Sequence, residues 1–155
     1  MKLDVIIEIP TGSKTKLEWD DSTKLMRFKR ELLYPMITNY GFFPHTLSPD
    51  KDPLDAILLA PPLPSNCIVK VNPIGLLHLI DGPDIDDKVL CVLAYKPKMT
   101  KLKHVPKYLL NEIEHYFTIY KQLDQKKVVV KGWRTLKYTK KIIRQAQKAF
   151  KKSNG

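Results

Sequence analysis

Hydrophobic residues in the first thirty positions recur with the two-residue period of β-strands. β-Branched residues fill Leu3–Ile9, and apolar and polar residues alternate over Thr15–Trp19 and Lys24–Arg30. In the third segment the alternation puts the terminal arginine on the same, core-facing side as Met26 and Phe28. The pattern therefore predicts three strands.

Longer apolar runs follow and predict strands that are buried on both faces. They cover Ala56–Ala60, Cys67–Val71, Ile74–Ile80 and Val89–Ala94, the first three bounded by Pro, Asn or Asp. Leu32–His45 is aromatic and interrupted by Pro and Gly, so we predict a well-packed loop there.

Helical spacing is confined to the last third of the chain. Pro106–Leu123 carries an apolar stripe behind a favourable first-turn proline, and Thr139 is suited to cap a final amphipathic helix. Between these helices Lys126–Lys131 predicts a short strand and Gly132–Trp133 a turn. The inward-facing helix residues are Leu109, Ile113, Tyr116, Phe117, Tyr120, Leu123, Ile142, Ile143, Ala146, Ala149 and Phe150.

A length of 155 residues with no repeat or composition break predicts a single domain over residues 1–155, with residues 151–155 frayed. No apolar run approaches the roughly 20 residues needed to cross a bilayer, and no signal-peptide core follows the first Met. Cys67 and Cys91 lie in apolar segments without a CxxC motif. Buried free thiols in a reducing cytoplasm are the expectation.

Positive charge is concentrated at the C-terminal end. Residues 121–155 hold 12 Lys and Arg against one acid, whereas residues 1–120 hold 15 of each sign. Such a segment is typical of a nucleic-acid site, of a site for an anionic surface, or, most commonly, of a solvated helix face.

Aspartates are clustered in two islands that flank buried strands. Asp50, Asp52 and Asp55 fall within six residues, and a second group occupies Asp81–Lys88. Carboxylates this close repel one another unless cations keep them ionised, and hard divalent cations prefer oxygen ligands. One island alone is equally typical of a solvated turn, but the pairing of two favours a magnesium-type site.

Several common sites are excluded. An EF-hand counted from Asp50 would need Gly and Glu where Asp55 and Pro61 stand. There is no GxxxxGK[ST] phosphate loop, no GxSxG elbow and no HExxH helix, and two distant cysteines do not form a zinc site.

The residues at this point resemble the soluble family I inorganic pyrophosphatases, in their bacterial short form. The signature Asp-x-Asp-Pro-hydrophobic-Asp-hydrophobic is matched by Asp50–Ala56, and the flanking motifs occur in the family's order over about residues 3–135. Those motifs are Ile7-Glu8-Ile9-Pro10, Lys16-Leu17-Glu18, Arg30, Asn39-Tyr40-Gly41, the Asp81, Asp86 and Lys88 spacing, Tyr120-Lys121 and Gly132-Trp133.

The resemblance implies an α+β fold, a small closed antiparallel β-barrel (OB-like) with two main C-terminal helices packed outside. It also implies a cytoplasmic hydrolase of phosphate metabolism that splits pyrophosphate with several Mg²⁺ ions, for which Mn²⁺ or other divalent ions can substitute. The implied metal ligands are Asp50, Asp55, Asp81 and Asp86; Asp52 is the general base; Glu8 and Glu18 reach the cations partly through water; and Lys16, Arg30, Tyr40, Lys88, Tyr120 and Lys121 bind phosphate oxygens.

Some features of the chain depart from the family. Gly82 stands where an acid usually follows Asp81, the Tyr34-Pro35 pair lies two residues early, and the chain is basic. The resemblance implies a homohexamer, with His115 at an interface. The alternative hypotheses are a barrel-type nucleic-acid-binding module that uses the basic segment, and a metal-binding relative without turnover. No membrane partner is expected.

Overall fold

The computed structural model describes residues 1–95, 97–121 and 127–154. Three residues assigned above to elements, Gln122, Leu123 and Lys126, lie outside the described residues, as do Lys96, Asp124, Gln125 and Gly155. The strands are β1 Leu3–Ile9, β2 Thr15–Asp20, β3 Leu25–Glu31, β4 Asn39–Phe42, β5 Asp55–Leu59, β6 Ile68–Asp81, β7 Asp84–Ile85, β8 Lys88–Leu93 and β9 Val128–Arg134. The helices are α1 Lys107–Ile119 and α2 Leu136–Asn154, preceded by a short 3₁₀ turn at Leu102–His104.

Five strands close into a ring. β1 pairs with β4, β4 with β5, β5 with β8, β8 with β6, and β6 again with β1. This closure confirms the predicted barrel, but the pairing is not wholly antiparallel. β5 and β8 run parallel, with Asp55 opposite Lys88. The chain between them contains β6 and β7, which supplies the long connection that a parallel pair requires.

The strand β6 is longer than its hydrophobic runs suggested. The two strands predicted around Asn72 and Pro73 form one 14-residue strand whose register shifts between Pro73 and Gly75. Proline is tolerated at such an irregularity because the ladder hydrogen bond is already interrupted. Past this point β6 also pairs with β9, so one strand belongs to both the ring and its extension.

Part of the predicted Leu32–His45 loop is the wholly buried strand β4. It passes very close to β1: a Cβ added at Gly41 would lie 2.0 Å from the carbonyl oxygen of Ile6. The glycine that suggested a loop is therefore the residue that allows two backbones to approach.

The β2–β3 hairpin corrects the predicted position of Arg30. The register shifts after Lys16, so Arg30 lies opposite Lys16 whereas Phe28 lies opposite Leu17. Cross-strand partners share a face, so Arg30 is not on the face of Phe28 and Met26. Phe28 is itself 65% exposed, so the face that carries Phe28 is not the core-facing side of this strand.

Both predicted helices form and pack against the barrel, but the second is capped by another residue. The backbone N–H of Tyr138 donates to Oγ1 of Thr135, so Thr135 caps α2. Thr139 is buried inside the helix and its hydroxyl donates to the Thr135 carbonyl. Residues 151–154 are helical rather than frayed.

The predicted Gly132–Trp133 turn is instead part of β9. The register of β9 against β6 shifts between His78 and Leu79, and Gly132 takes a φ of 109° there. Glycine adopts that conformation without the steric cost of a side chain.

Both cysteines are free, as predicted, but only Cys91 is buried; Cys67 is partly exposed. Among the described residues, no helix is both long and apolar enough to span a membrane.

Candidate active site

A polar cavity of about 290 Å³ opens where β1, β2, β5, β8 and the end of α1 meet. The residues that line it include carboxylates, ammonium groups and tyrosines from seven separate stretches of the chain. The charged and phenolic ones are Glu8, Lys16, Glu18, Lys29, Tyr40, Asp50, Asp52, Asp55, Asp81, Asp84, Asp86, Lys88, Tyr120 and Lys121.

Lys88 is the buried charge at the centre of this cavity. Its side chain is 1% exposed, and Nζ donates to Tyr40 Oη at 2.6 Å, Asp55 Oδ2 at 3.0 Å and Asp86 Oδ2 at 3.3 Å. Burial alone would lower the pKa of Lys88, but Asp55 and Asp86 raise it well above its ordinary value. Lys88 therefore stays charged and holds the two acidic islands together.

The two aspartates beside Lys88 respond differently to their surroundings. Burial raises the pKa of Asp55 to about 6 despite the nearby ammonium. Burial acts in the same direction on Asp86, but Lys88 and Lys121 outweigh it and lower the pKa of Asp86 below its ordinary value. Asp55 and Asp86 therefore differ in proton affinity although both contact the ammonium of Lys88.

Lys121, just past the end of α1, is a second ammonium inside the cavity. Its Nζ donates to Asp81 Oδ2 and lies 3.9 Å from Asp86 Oδ2. Burial lowers the pKa of Lys121, whereas Tyr120 and the hydrogen bond to Asp81 raise it, with a net rise. Two carboxylates of the second acidic island, Asp81 and Asp86, therefore lie beside the ammonium of Lys121.

The carboxylate of Glu8 is buried at the cavity wall. Its Oε2 accepts the backbone N–H of Trp19 at 2.9 Å. Burial raises the pKa of Glu8 to about 8, and Asp55 and Glu18 contribute in the same direction. Near neutral pH this group is therefore largely protonated in the absence of an added cation.

The first acidic island is held by a turn before β5. The backbone N–H of Asp52 donates to Asp50 Oδ1 at 3.0 Å, and Ser48 N–H donates to the Asp52 carbonyl at 2.7 Å. Burial raises the pKa of Asp50, and burial together with Glu18 raises the pKa of Asp52. Asp52 is thus a carboxylate with increased proton affinity at the cavity mouth.

The hairpin β2–β3 contributes positive charge to the opposite wall. Burial, together with Lys29 and Arg30, lowers the pKa of Lys16 to about 8. Lys29 forms an ion pair of 2.8 Å with Glu18. On this wall the ammonium of Lys16 is the cation available to an anion in the cavity, because Lys29 is already paired with Glu18.

Of the residues proposed from the sequence, all but Arg30 line the cavity. Arg30 lies opposite Lys16 in the hairpin register, on the same face of the hairpin, but is not itself among the lining residues. Lys29 and Asp84 were missed. Strict alternation along the strand would put Lys29 on the outer face. The register shift in the hairpin turns it toward the cavity, and no local residue pattern predicts that shift.

The donor set suits hard divalent cations, because the converging side chains are carboxylates. Within the described ranges, however, no three Asp, Glu, His or Cys side chains already surround a point where an ion would sit. The ammonium groups of Lys88 and Lys121 lie between the aspartates and supply the positive charge. The residues present fit a cation that would share these carboxylates with the lysines.

Comparisons with known proteins converge on one family. Residues 5–151 match the model of the family described as inorganic pyrophosphatase. An inorganic pyrophosphatase of Methanosarcina mazei is 42% identical over 152 residues, covering 94% of this chain and 90% of the relative. One from Synechocystis is 36% identical over 157 residues, covering 96% and 92%.

Solved structures agree with the sequence matches. The crystal structure of inorganic pyrophosphatase from Thermus thermophilus superposes with a TM-score of 0.92 at 33% identity, covering 97% of this chain and 91% of that one. The structure from Coxiella burnetii gives 0.90 at 34% identity, covering 96% and 95%. The likeness spans nearly the whole of each chain.

Proposed function

Because the chain belongs to the inorganic pyrophosphatase family, we propose that it hydrolyses pyrophosphate to two orthophosphates in the cavity described above. The observation that carries the proposal is the meeting of both acidic islands with Lys16, Lys88 and Lys121 in one cavity. Carboxylates alone would repel a highly charged anion, and lysines alone could not activate water, so this reaction needs both.

Divalent cations, Mg²⁺ in the first place, are proposed as the cofactor. Asp50, Asp55, Asp81 and Asp86 would hold them, with Glu8 and Glu18 acting through water. When bound, such cations supply positive charge to the phosphate oxygens and lower the pKa of a coordinated water. The raised pKa values of Glu8 and Asp55 support this assignment, because added positive charge would keep both groups ionised.

The lysines and tyrosines of the cavity are proposed to hold the two phosphates. Lys16 and Lys121 act as point charges, while the hydroxyls of Tyr40 and Tyr120 donate hydrogen bonds. Lys88 keeps the acidic islands in place and lies near the same oxygens. Arg30 remains a predicted phosphate ligand, which its bidentate geometry suits, and it lies beside Lys16 in the hairpin.

Asp52 is proposed as the general base. It lies at the cavity mouth, on a turn held by Asp50 and Ser48, and its carboxylate has an increased proton affinity. A base accepts a proton best when its pKa is shifted toward the working pH. Asp52 would take the proton from the attacking water as the phosphorus–oxygen bond forms.

The cellular setting follows from the family and from the chain's chemistry. We propose a cytoplasmic enzyme, in keeping with two free thiols. A homohexamer is proposed by analogy, with exposed His115 on α1 as a contact residue. Light scattering of the purified chain tests the oligomer.

The decisive test is release of orthophosphate from pyrophosphate by purified protein. Activity is expected with millimolar Mg²⁺, loss with EDTA, and recovery when Mg²⁺ is restored; Mn²⁺ is expected to support a different rate. Release that is unaffected by chelation would contradict the cation assignment, and no release under any divalent ion would contradict the activity.

A further inference from the structure

The outer face of α2 carries a stripe of positive charge that the proposed reaction does not use. The helix spans Leu136–Asn154 and contains no acidic residue. Its cations are Lys137, Lys140, Lys141, Arg144, Lys148, Lys151 and Lys152. We call these seven residues the α2 stripe.

The stripe is a single face rather than a scatter of charges. At 3.6 residues per turn all seven positions fall within an arc of about 120°, and they extend over about 22 Å of the helix axis. Buried Thr139, Ile143 and Ala146 lie on the opposite face, against the barrel. The core therefore fixes which way the charges point.

The charges of the stripe lie at the surface and have no carboxylate partner in the part of the chain that the structure describes. Lys140 is half-buried and the other six side chains are exposed. Among residues 1–95, 97–121 and 127–154, no carboxylate forms an ion pair with any of the seven. Like charges three and four residues apart destabilise a helix slightly. A bound polyanion would remove this repulsion.

From this geometry we propose that the α2 stripe binds the phosphate backbone of nucleic acid without reading its sequence. Regularly spaced cations on a rigid rod match a polymer that carries a phosphate at every unit. None of the seven is aromatic, so none can stack on bases, and the six lysines act as point charges on phosphate. Arg144 alone could also contact a base edge, so we expect little base preference.

An anionic membrane fits this face less well. A helix that lies on a bilayer buries an apolar face beside its cations. Here the apolar face of α2 packs on the barrel through Ile143 and Ala146, and Tyr138 is the one large apolar side chain of the described helix that is exposed. Attraction to lipid headgroups would be electrostatic alone.

Binding to nucleic acid would also place the chain near a source of substrate. Template-directed polymerisation joins a nucleoside triphosphate to a growing strand and releases pyrophosphate. An enzyme held on the strand would remove that product where it forms. This consequence rests on the proposed function, whereas the binding itself does not.

The test is equilibrium binding of the full chain to fluorescent duplexes and single strands of about 30 nucleotides and scrambled sequence, with EDTA present and KCl from about 50 to 200 mM. EDTA prevents phosphate from binding through cations in the active site. The slope of log K against log salt for duplex DNA is expected near −0.9 per phosphate contact.

Two matched variants identify the surface. Lys141→Gln/Arg144→Gln/Lys148→Gln removes three stripe charges while keeping good helix formers, and should weaken duplex binding at least tenfold and flatten the salt slope by up to about 2.7. Lys98→Gln/Lys101→Gln/Lys103→Gln removes three exposed charges elsewhere. It should bind as the wild type does.

Four outcomes would overturn the proposal: no binding at low salt, equal loss in both variants, competition by polyglutamate as effective as that by duplex at equal charge, or tighter binding to phosphatidylglycerol vesicles than to duplex. Both variants should hydrolyse free pyrophosphate at the wild-type rate. Loss of binding with intact hydrolysis separates the stripe from the active site.

Discussion

At the scale of single residues, the site depends on unlike charges being buried together. Lys88 is fully enclosed and remains charged because Asp55 and Asp86 contact it. Such a cluster contributes little net stability compared with apolar packing, since each ion loses its hydration. Its consequence is positional: one carboxylate from each island is held beside the Lys88 ammonium. Burial raises the pKa of Asp55, whereas Lys88 and Lys121 lower that of Asp86.

Replacing Asp52 with Asn should lower kcat by about 10²–10⁴-fold, the usual contribution of a general base. Its amide cannot accept the proton, yet it keeps the size of the side chain. Initial rates of orthophosphate release with saturating Mg²⁺ measure the effect. Asp84→Asn, at an exposed residue on the cavity rim, is the control and should stay within a few-fold of wild type. Near-normal kcat in Asp52→Asn would remove this residue from the base role.

Glu8 makes the stability of the metal-free protein depend on pH. Its pKa is 4.5 ordinarily and about 8 in the folded chain. Between these values the unfolded state has released a proton that the folded state still binds, so stability falls as pH rises, by up to about 1.4 kcal/mol per pH unit. Below pH 4.5 the folded and unfolded states both bind this proton, so Glu8 no longer makes stability depend on pH.

Glu8→Gln should remove that fall. Gln keeps the oxygen that accepts the Trp19 N–H but has no proton to release. Urea unfolding of both proteins in EDTA at pH 5, 6, 7 and 8 gives the difference, which should widen steadily with pH. Parallel curves for the two proteins would show that Glu8 ionises as easily in the folded chain as in the unfolded one. Added Mg²⁺ should narrow the gap, since a nearby cation favours the carboxylate.

At the scale of elements, irregular pairing determines which side chains reach the cavity. Register shifts in β3, β6 and β9 each change the face of the residues that follow. Lys29 lines the cavity at one of them, and the same shift sets Arg30 opposite Lys16. A bulge costs a ladder hydrogen bond, but it redirects a strand at the rim of a barrel, where sites are built.

Gly41 is expected to be the glycine least tolerant of substitution. A Cβ at this position would lie 2.0 Å from the Ile6 carbonyl oxygen, and backbone cannot move aside as a side chain can. Gly41→Ala should therefore destabilise the fold by more than about 3 kcal/mol. The measurement is the urea midpoint and slope, compared with wild type.

Gly82→Ala is the comparison for Gly41. Gly82 has a φ of 61°, and a methyl group added there would have no heavy atom within 4 Å, so the cost should be the left-handed penalty of about 1–2 kcal/mol alone. If the two variants unfolded at the same urea concentration, the close contact between β1 and β4 would not be what constrains Gly41.

At the scale of the whole molecule, closure of the barrel creates the site. The ring β1–β4–β5–β8–β6 brings the start of β5, which carries the first acidic island, beside the start of β8, which carries the second. The parallel register sets Asp55 opposite Lys88. Global folding and assembly of the site are therefore one event, and cation binding should be linked to the stability of the entire chain.

Mg²⁺ should raise the free energy of unfolding, by about 2.7 kcal/mol when its free concentration is a hundred times the dissociation constant. The reason is relief of repulsion among carboxylates that only the folded state brings together. Thermal melts with and without EDTA measure the shift. Asp50→Asn/Asp81→Asn should reduce it strongly, whereas Asp4→Asn, on the outer surface of β1, should not. An unchanged shift in the double variant would place the stabilising ion elsewhere.

The sequence by itself determined both helices, most of the strands, the two acidic islands and the signature around Asp50–Ala56, because hydrophobic period and local charge are properties of neighbouring residues. It also determined the opposite faces of α2, since helical geometry turns spacing into direction. Tertiary structure alone decided the parallel contact of β5 with β8, the joining of two apolar runs into β6, and the strand at Gly41. These three features depend on pairing between segments that are distant in sequence. The residues next to a position in the chain do not indicate which residue will pair with it across a sheet. The entry of Lys29 into the cavity has the same cause, because a one-residue register shift reverses a side chain without changing the composition around it.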